Sequence, residues 1–192
     1  ATPQGMPSVT FVAYGGVPWT AISTGHGRTC GLAQNQQPFC WGLNDRGMLG
    51  VLSASNRLKP DSVVGGTLFT GLSSGGAHSC GVTTVGDALC WGANGQGQLG
   101  DGSTDGRTSP VAVGGSMTFV AITAGESHSC GIATDGTAYC WGDNTHGQLG
   151  DASTTRRTAP VTVYTAEKFL ALAAGAQHTC GIIATRQVFC WG

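Results

Sequence analysis

The chain has 192 residues, 40% hydrophobic and 10% charged, and nine Lys+Arg against ten Asp+Glu leave a formal net charge of −1. That balance excludes a strongly basic nucleic-acid binder, which needs clustered cations to displace phosphate counterions, and it excludes an acidic solvating tail. Glycine is the outlier, at 33 residues against a usual share of about 7%, and it has no three-residue period. Many tight turns are expected and a mostly helical protein is not. No apolar run approaches the roughly 20 residues that cross a bilayer as a helix, so no membrane insertion is expected.

The chain repeats every 50 residues without gaps, as one repeat domain, 1–192, in four units: 1–50, 51–100, 101–150 and 151–192. The first unit is the least regular. It carries Cys30, Cys40 and Trp41 but has Arg28 where the later units have His78, His128 and His178. Its junction to the second unit, Val51 to Lys59, also departs from the Asp101-Gly102-Ser103-Thr104 type of stretch. The second unit sets the frame with Gly75, His78, Cys80, Gly81, Cys90, Trp91, Asn94 and Gly97-Gln98-Leu99-Gly100.

The third unit shows the local structure. Phe119 to Ala124 is a short apolar run, and Ser129 to Ala133 and Thr137 to Gly142 flank Thr134-Asp135-Gly136. Asp-Gly between two short strands is a hairpin signal. A three-residue loop with Gly136 in the left-handed conformation pairs Ala133 with Thr137 and sets Cys130 opposite Cys140. Thr108 to Val111 and Thr158 to Val161 read as an extended outer strand with its proline at the start. The fourth unit repeats the pattern as far as Trp191-Gly192. The fold class is therefore all-β, a series of small antiparallel sheets of three or four strands. Such sheets at a fixed period suggest the blades of a β-propeller, as a partial propeller or open blade array.

The frame Gly-x-x-His-Ser-Cys-Gly-Val/Ile…Cys-Trp-Gly-x-Asn-x-x-Gly-Gln-Leu-Gly-Asp resembles the repeat of the regulator of chromosome condensation family, in a cysteine-paired variant. The resemblance covers essentially the whole chain and is strongest in units two to four. It implies propeller blades, seven to a full ring. It does not imply one function, because the family includes a nucleotide-exchange factor for a small GTPase, ubiquitin-ligase modules and a secreted bacterial β-lactamase inhibitor. Function has to come from sites.

The eight cysteines form four pairs at one spacing: Cys30 and Cys40, Cys80 and Cys90, Cys130 and Cys140, Cys180 and Cys190. Directly opposed in a hairpin, each pair can meet disulfide geometry. Four disulfides place the chain in an oxidising compartment: secreted, periplasmic or on a cell surface. The competing reading is metal, since His78, Cys80 and Cys90 supply three soft ligands. Against it, Arg28 replaces the histidine in the first unit, no CxxC knuckle exists, and a fourth ligand is missing. No cofactor is expected. The repeat histidines are read as structural, each bonding backbone near the channel, and His26 and His146 as surface residues.

Catalytic constellations are sparse. There are two Glu, and Asp101, Asp135 and Asp151 fall at turn positions. His78-Ser79 and His128-Ser129 are adjacent in a strand, so their side chains point to opposite faces. No catalytic residue is assigned, and no enzyme is expected. Arg57, Arg107, Arg156 and Arg157 precede the prolines of successive outer strands and would line one rim as a contact stripe for an acidic protein or polysaccharide; Trp19 is a further candidate contact. The repeated tryptophans are read as packing between neighbouring blades.

Four blades leave two uncovered faces. The first unit offers Val9, Phe11, Val12, Tyr14, Val17 and Trp19; the fourth offers Leu170, Leu172, Ile182, Val188 and Phe189 among others. The expected function is a non-catalytic extracellular scaffold or protein-interaction module. Its alternatives are a filament subunit assembled head-to-tail and an inhibitor or exchange-factor-like binding propeller. Its expected partners are other copies of the chain or further blades of a longer parent. Non-reducing peptide mapping should recover the four pairs within units; eight free thiols or any pairing between units would refute this reading.

Overall fold

Short β-prone runs punctuated by glycine turns build strands throughout. The computed structural model of the chain describes residues 16–192, so Val9, Phe11, Val12 and Tyr14 lie outside the described residues. The first sheet holds β1 (Trp19–Gly25), β2 (Arg28–Ala33), β3 (Pro38–Gly42) and β4 (Arg57–Ser62). The second holds β5 (Phe69–Ser74), β6 (His78–Thr83), β7 (Ala88–Gly92) and β8 (Arg107–Ala112). The third holds β9 (Phe119–Ala124), β10 (His128–Ala133), β11 (Ala138–Gly142) and β12 (Arg157–Thr162). The fourth holds β13 (Phe169–Ala174), β14 (Thr179–Ile183) and β15 (Val188–Trp191). All pairings are antiparallel meanders, and the sheets are propeller blades that do not close into a ring. The first three sheets are offset from the 50-residue units, because the outer strand of each comes from the unit that follows.

The hairpins form as their turn chemistry dictates. Ala133 N–H donates to Thr137 at 2.9 Å, Gly136 N–H donates to Ala133 at 2.9 Å, and Gly136 has φ +81°. Cys130 then sits opposite Cys140, and the same register recurs at Cys30–Cys40, Cys80–Cys90 and Cys180–Cys190. All four pairs are disulfide-bonded, with Cα–Cα distances of 4.1 Å. The outer strands differ from the sequence expectation in one respect. They begin at Arg107 and Arg157, three residues before the prolines. Pro110 and Pro160 lie inside the strand, where the register against the neighbouring strand slips. A bulge needs no ladder hydrogen bond at that point, so a residue without N–H is tolerated.

The core is not one centre but three junctions, one between each pair of successive sheets. At the second junction, Phe119 and Trp141 of the third sheet pack on Cys80, Val82, Ala88, Cys90, Leu99 and Val113 of the preceding one. Phe69 with Trp91, and Phe169 with Trp191, do the same at the first and third. The two rings of each pair meet edge-on or tilted at 5.7–6.1 Å. The glycine after each first cysteine is required here. A Cβ on Gly131 would lie 2.6 Å from the Phe119 ring. The repeated tryptophans therefore pack between blades, and each indole N–H reaches a carbonyl of the preceding unit: Trp91 to Met48, Trp141 to Gln98, Trp191 to Gln148, at 2.9–3.0 Å.

Phe119→Ala should cost roughly 3–5 kcal/mol in urea denaturation, because the ring is 3% exposed inside a junction. Val120→Ala, one residue on and 59% exposed, should stay within about 0.5 kcal/mol.

Candidate functional site

The polar residues of the repeat are also spent on the junctions. His78 Nε2 bonds Ser129 Oγ of the next sheet at 2.8 Å, and His128 Nε2 bonds Thr179 Oγ1 at 2.9 Å. The expectation that these histidines bond backbone is corrected: their partners are side-chain hydroxyls one unit further on. Each hydroxyl in turn donates to a carbonyl, Ser129 to Gln98 and Thr179 to Gln148, both at 2.9 Å. Arg28 fills the same place at the first junction. Its Nε donates to Ser79 Oγ at 3.1 Å, Nη1 to the Gly76 carbonyl at 2.8 Å, and Nη2 to the carbonyls of Gly75 and His78. Sequence spacing marked Arg28 as an irregular residue without showing that it does the histidine's work.

Burial sets the charge states. Burial first, then the neighbouring Arg28 and His128, pushes the His78 imidazole down to about 3. Burial lowers His128 to about 4, with Asp143 opposing and His178 adding to the shift. Burial also lowers Arg28 to about 10, with Glu126 opposing. The His78–Ser129 contact has the distance of a base–nucleophile pair. Both residues are 0% exposed, however, and the Ser129 hydroxyl is committed to Gln98, so no substrate reaches it.

The second repeated polar cluster holds the loops between sheets. Asn94 Oδ1 accepts the Leu99 N–H at 3.0 Å, while its Nδ2 donates to the carbonyls of Ser103 and Asp105 and to Asp101. Asn144 repeats this with Leu149, Ser153, Thr155 and Asp151. Burial opposes ionisation of Asp101, but hydrogen bonds from Ser103, Arg107 and Asn94 outweigh it and hold the carboxyl below its usual range. Asp151 behaves likewise through Ser153, Arg157 and Asn144.

The arginine rim lies against these loops. Arg107 pairs with Asp101 at 3.2 Å and Arg157 with Asp151 at 2.8 Å. Val51 stands where those aspartates would be in the first sheet's loop, and Arg57 turns to Asp61 at 2.7 Å instead. Arg156 is exposed and reaches Gly95 O at 3.0 Å on the neighbouring loop. Trp19 occupies the place of Phe69 and Phe119 and lies 5.6 Å from Phe39 and 5.9 Å from Trp41. His26 and His146 are exposed. At the channel end of the inner strands, a groove of about 240 Å³ is lined by Gly25, His26, Gly75, Glu126, Gly175 and Ala176, among others. The cysteines are all bonded to each other, which removes them as metal ligands, and no group of three His, Cys, Asp or Glu converges among the described residues. No helix among the described residues is long and apolar enough to cross a membrane.

Among the described residues, the far face of the fourth sheet is left uncovered, and sequence reading placed it only as a list of apolar residues. Ile182 is 37% exposed where Ile132 is 2%, and Val188 is 62% exposed where Ala138 is 2%. His178 and Cys190 are exposed there too.

A family model described as the regulator of chromosome condensation (RCC1) repeat matches residues 86–132 and 135–182, and a second model of that description matches 69–98 and 119–148. No curated protein sequence matches. Among solved structures, human WBSCR16 is similar with a TM-score of 0.79 at 21% identity, over 89% of this chain and 46% of its own. Prp20p from Saccharomyces cerevisiae, whose structure was described with its binding to Gsp1p and histones, has a TM-score of 0.75 at 20% identity, over 85% and 43%. The entire ectodomain of the Physcomitrella patens receptor kinase CR4 has a TM-score of 0.62 at 27% identity, over 92% and 42%. The chain spans less than half the length of each.

Asn144→Ala should destabilise the loop, since each buried group left without its partner costs roughly 1–3 kcal/mol. Urea midpoints and the loss of protection at the Leu149 amide check this.

Proposed function

The chain belongs to the regulator of chromosome condensation repeat family, and on that premise we propose that it is a non-catalytic protein-binding propeller segment that works outside the reducing cytosol. The observation that carries this reading is the fourth sheet's bare face. Residues that are buried at every internal junction are open there: Ile182, Val188 and Cys190. Apolar surface left in water forfeits roughly 25 cal/mol per Å², and monomers rarely expose such contiguous patches. Further blades of the same kind, or another copy of the chain, cover it. The first sheet's outer side, with Trp19 and Trp41, is a different surface. Contact between copies is therefore head-to-tail, closing a ring or running on as a filament.

Three further points support the reading. Most of the repeated polar residues hold the fold together, which supports a non-catalytic role. Four disulfides persist only where thiols are oxidised, and the similar CR4 structure is an ectodomain. Prp20p, whose structure was described with its binding to Gsp1p and histones, supports protein partners. Arg156 and Trp19 are the rim and end residues best placed to meet one.

Size-exclusion chromatography with light scattering tests the end-face reading. A discrete mass above the monomer supports a closed assembly, and an open-ended distribution supports a filament. Val188→Asp should shift either towards monomer, while leaving the unfolding free energy of the monomer within about 0.5 kcal/mol. A chain that stays monomeric at all concentrations would overturn self-association.

A further inference from the structure

The three junctions share one hydrogen-bond design but close it with different chemistry. At each, a hydroxyl of the later sheet donates to a carbonyl of the earlier unit: Ser79 to Met48, Ser129 to Gln98, Thr179 to Gln148. A hydroxyl has one proton to give, so it accepts from the third member. That member is Arg28, His78 or His128. The network thus assigns His78 and His128 the tautomer protonated at Nε2. Their Nδ1 atoms are buried and have no hydrogen-bond partner. Each faces the α-carbon of a glycine: a Cβ on Gly75 would lie 3.0 Å from His78 Nδ1, and one on Gly125 would lie 2.7 Å from His128 Nδ1.

A proton added at Nδ1 would therefore be a buried charge without an acceptor, which is costly. Arg28 carries its charge at the same place with acceptors for Nε, Nη1 and Nη2. We propose that the second and third junctions are built to loosen on acidification, whereas the first, closed by Arg28, holds. The charged groups facing these histidines fit that division. Arg28 and His128 disfavour charge on His78; His178 disfavours and Asp143 favours it on His128; Glu126 faces Arg28.

The sign follows from linkage. Both imidazoles bind protons more weakly when the junction is closed than when it is open, so the closed state is favoured above about pH 6.5 and weakens as pH falls towards 4. Between pH 7 and pH 5 each opening equilibrium should rise roughly 25-fold.

Three backbone amides report one junction each. Ser74 N–H bonds Ser23 Oγ across the first, Ala124 N–H bonds Ser73 Oγ across the second, and Ala174 N–H bonds Thr123 Oγ1 across the third. Amide hydrogen exchange on the intact, oxidised chain, corrected for intrinsic rates, is compared at pH 7 and pH 5. Protection at Ala124 and Ala174 should fall roughly 25-fold, while Ser74 should stay within about threefold. Arg28→His, which installs the residue found at 78, 128 and 178, should make Ser74 acid-labile as well. His128→Gln, which keeps a donor for Thr179 but does not titrate, should flatten the response at Ala174. Equal loss at all three amides, no loss at Ala124 and Ala174, or an unchanged Ser74 profile in Arg28→His would overturn the proposal.

Discussion

The structure depends on one contact repeated three times: a Phe–Trp pair of one sheet seated on the disulfide face of the sheet before it. A four-stranded sheet with two apolar faces has no stability alone, and stacking is what buries them. The disulfides take part directly. Cys80, Cys90 and Cys140 are 0% exposed, and they form the floor on which the next sheet's phenylalanine rests. The cross-link thus shortens the freedom of the unfolded hairpin and supplies apolar surface to the folded junction. The glycine that follows each first cysteine belongs to the same device, since any side chain there would displace the ring.

Around that apolar contact the polar residues set the register. The carbonyls of Met48, Gln98 and Gln148 each accept both a tryptophan N–H and a hydroxyl from the next sheet. Buried polar groups are tolerated only with partners, so one residue's identity constrains the residue 50 positions on. This explains why the repeat is so regular in its polar letters, and why regularity here marks architecture. Where the pattern breaks, the structure compensates locally. Val51 removes an aspartate, and Arg57 finds Asp61.

At the ends of the array the same chemistry is left unfinished. Trp41 is only half-buried, whereas Trp91 and Trp141 are fully enclosed. Ala173 stands where Ser23, Ser73 and Thr123 accept an amide from the following sheet. His178 is exposed, though His78 and His128 are sealed. The chemistry that binds blade to blade is thus the chemistry left open at these two faces.

By itself the sequence determined the all-β class, the 50-residue period, the hairpin register and the cysteine pairing. Apart from the period, which the repeated letters display directly, these are local, because turn residues and two-residue alternation act within about ten positions of each other. The fixed period of small sheets suggested propeller blades, and the resemblance in the repeat frame implied them too. Neither revealed that the first three sheets borrow their outer strands from the next unit, nor that Pro110 sits within a bulge. The roles of Arg28 and of the histidines were equally hidden, as was the pairing of Arg107 with Asp101 and of Arg157 with Asp151. The histidine and Arg28 contacts join residues about 50 positions apart, across a junction that exists only once two sheets have stacked. Tertiary structure alone decided which copies of a repeated residue are enclosed and which face water, because identical letters differ only in whether a neighbouring sheet lies against them.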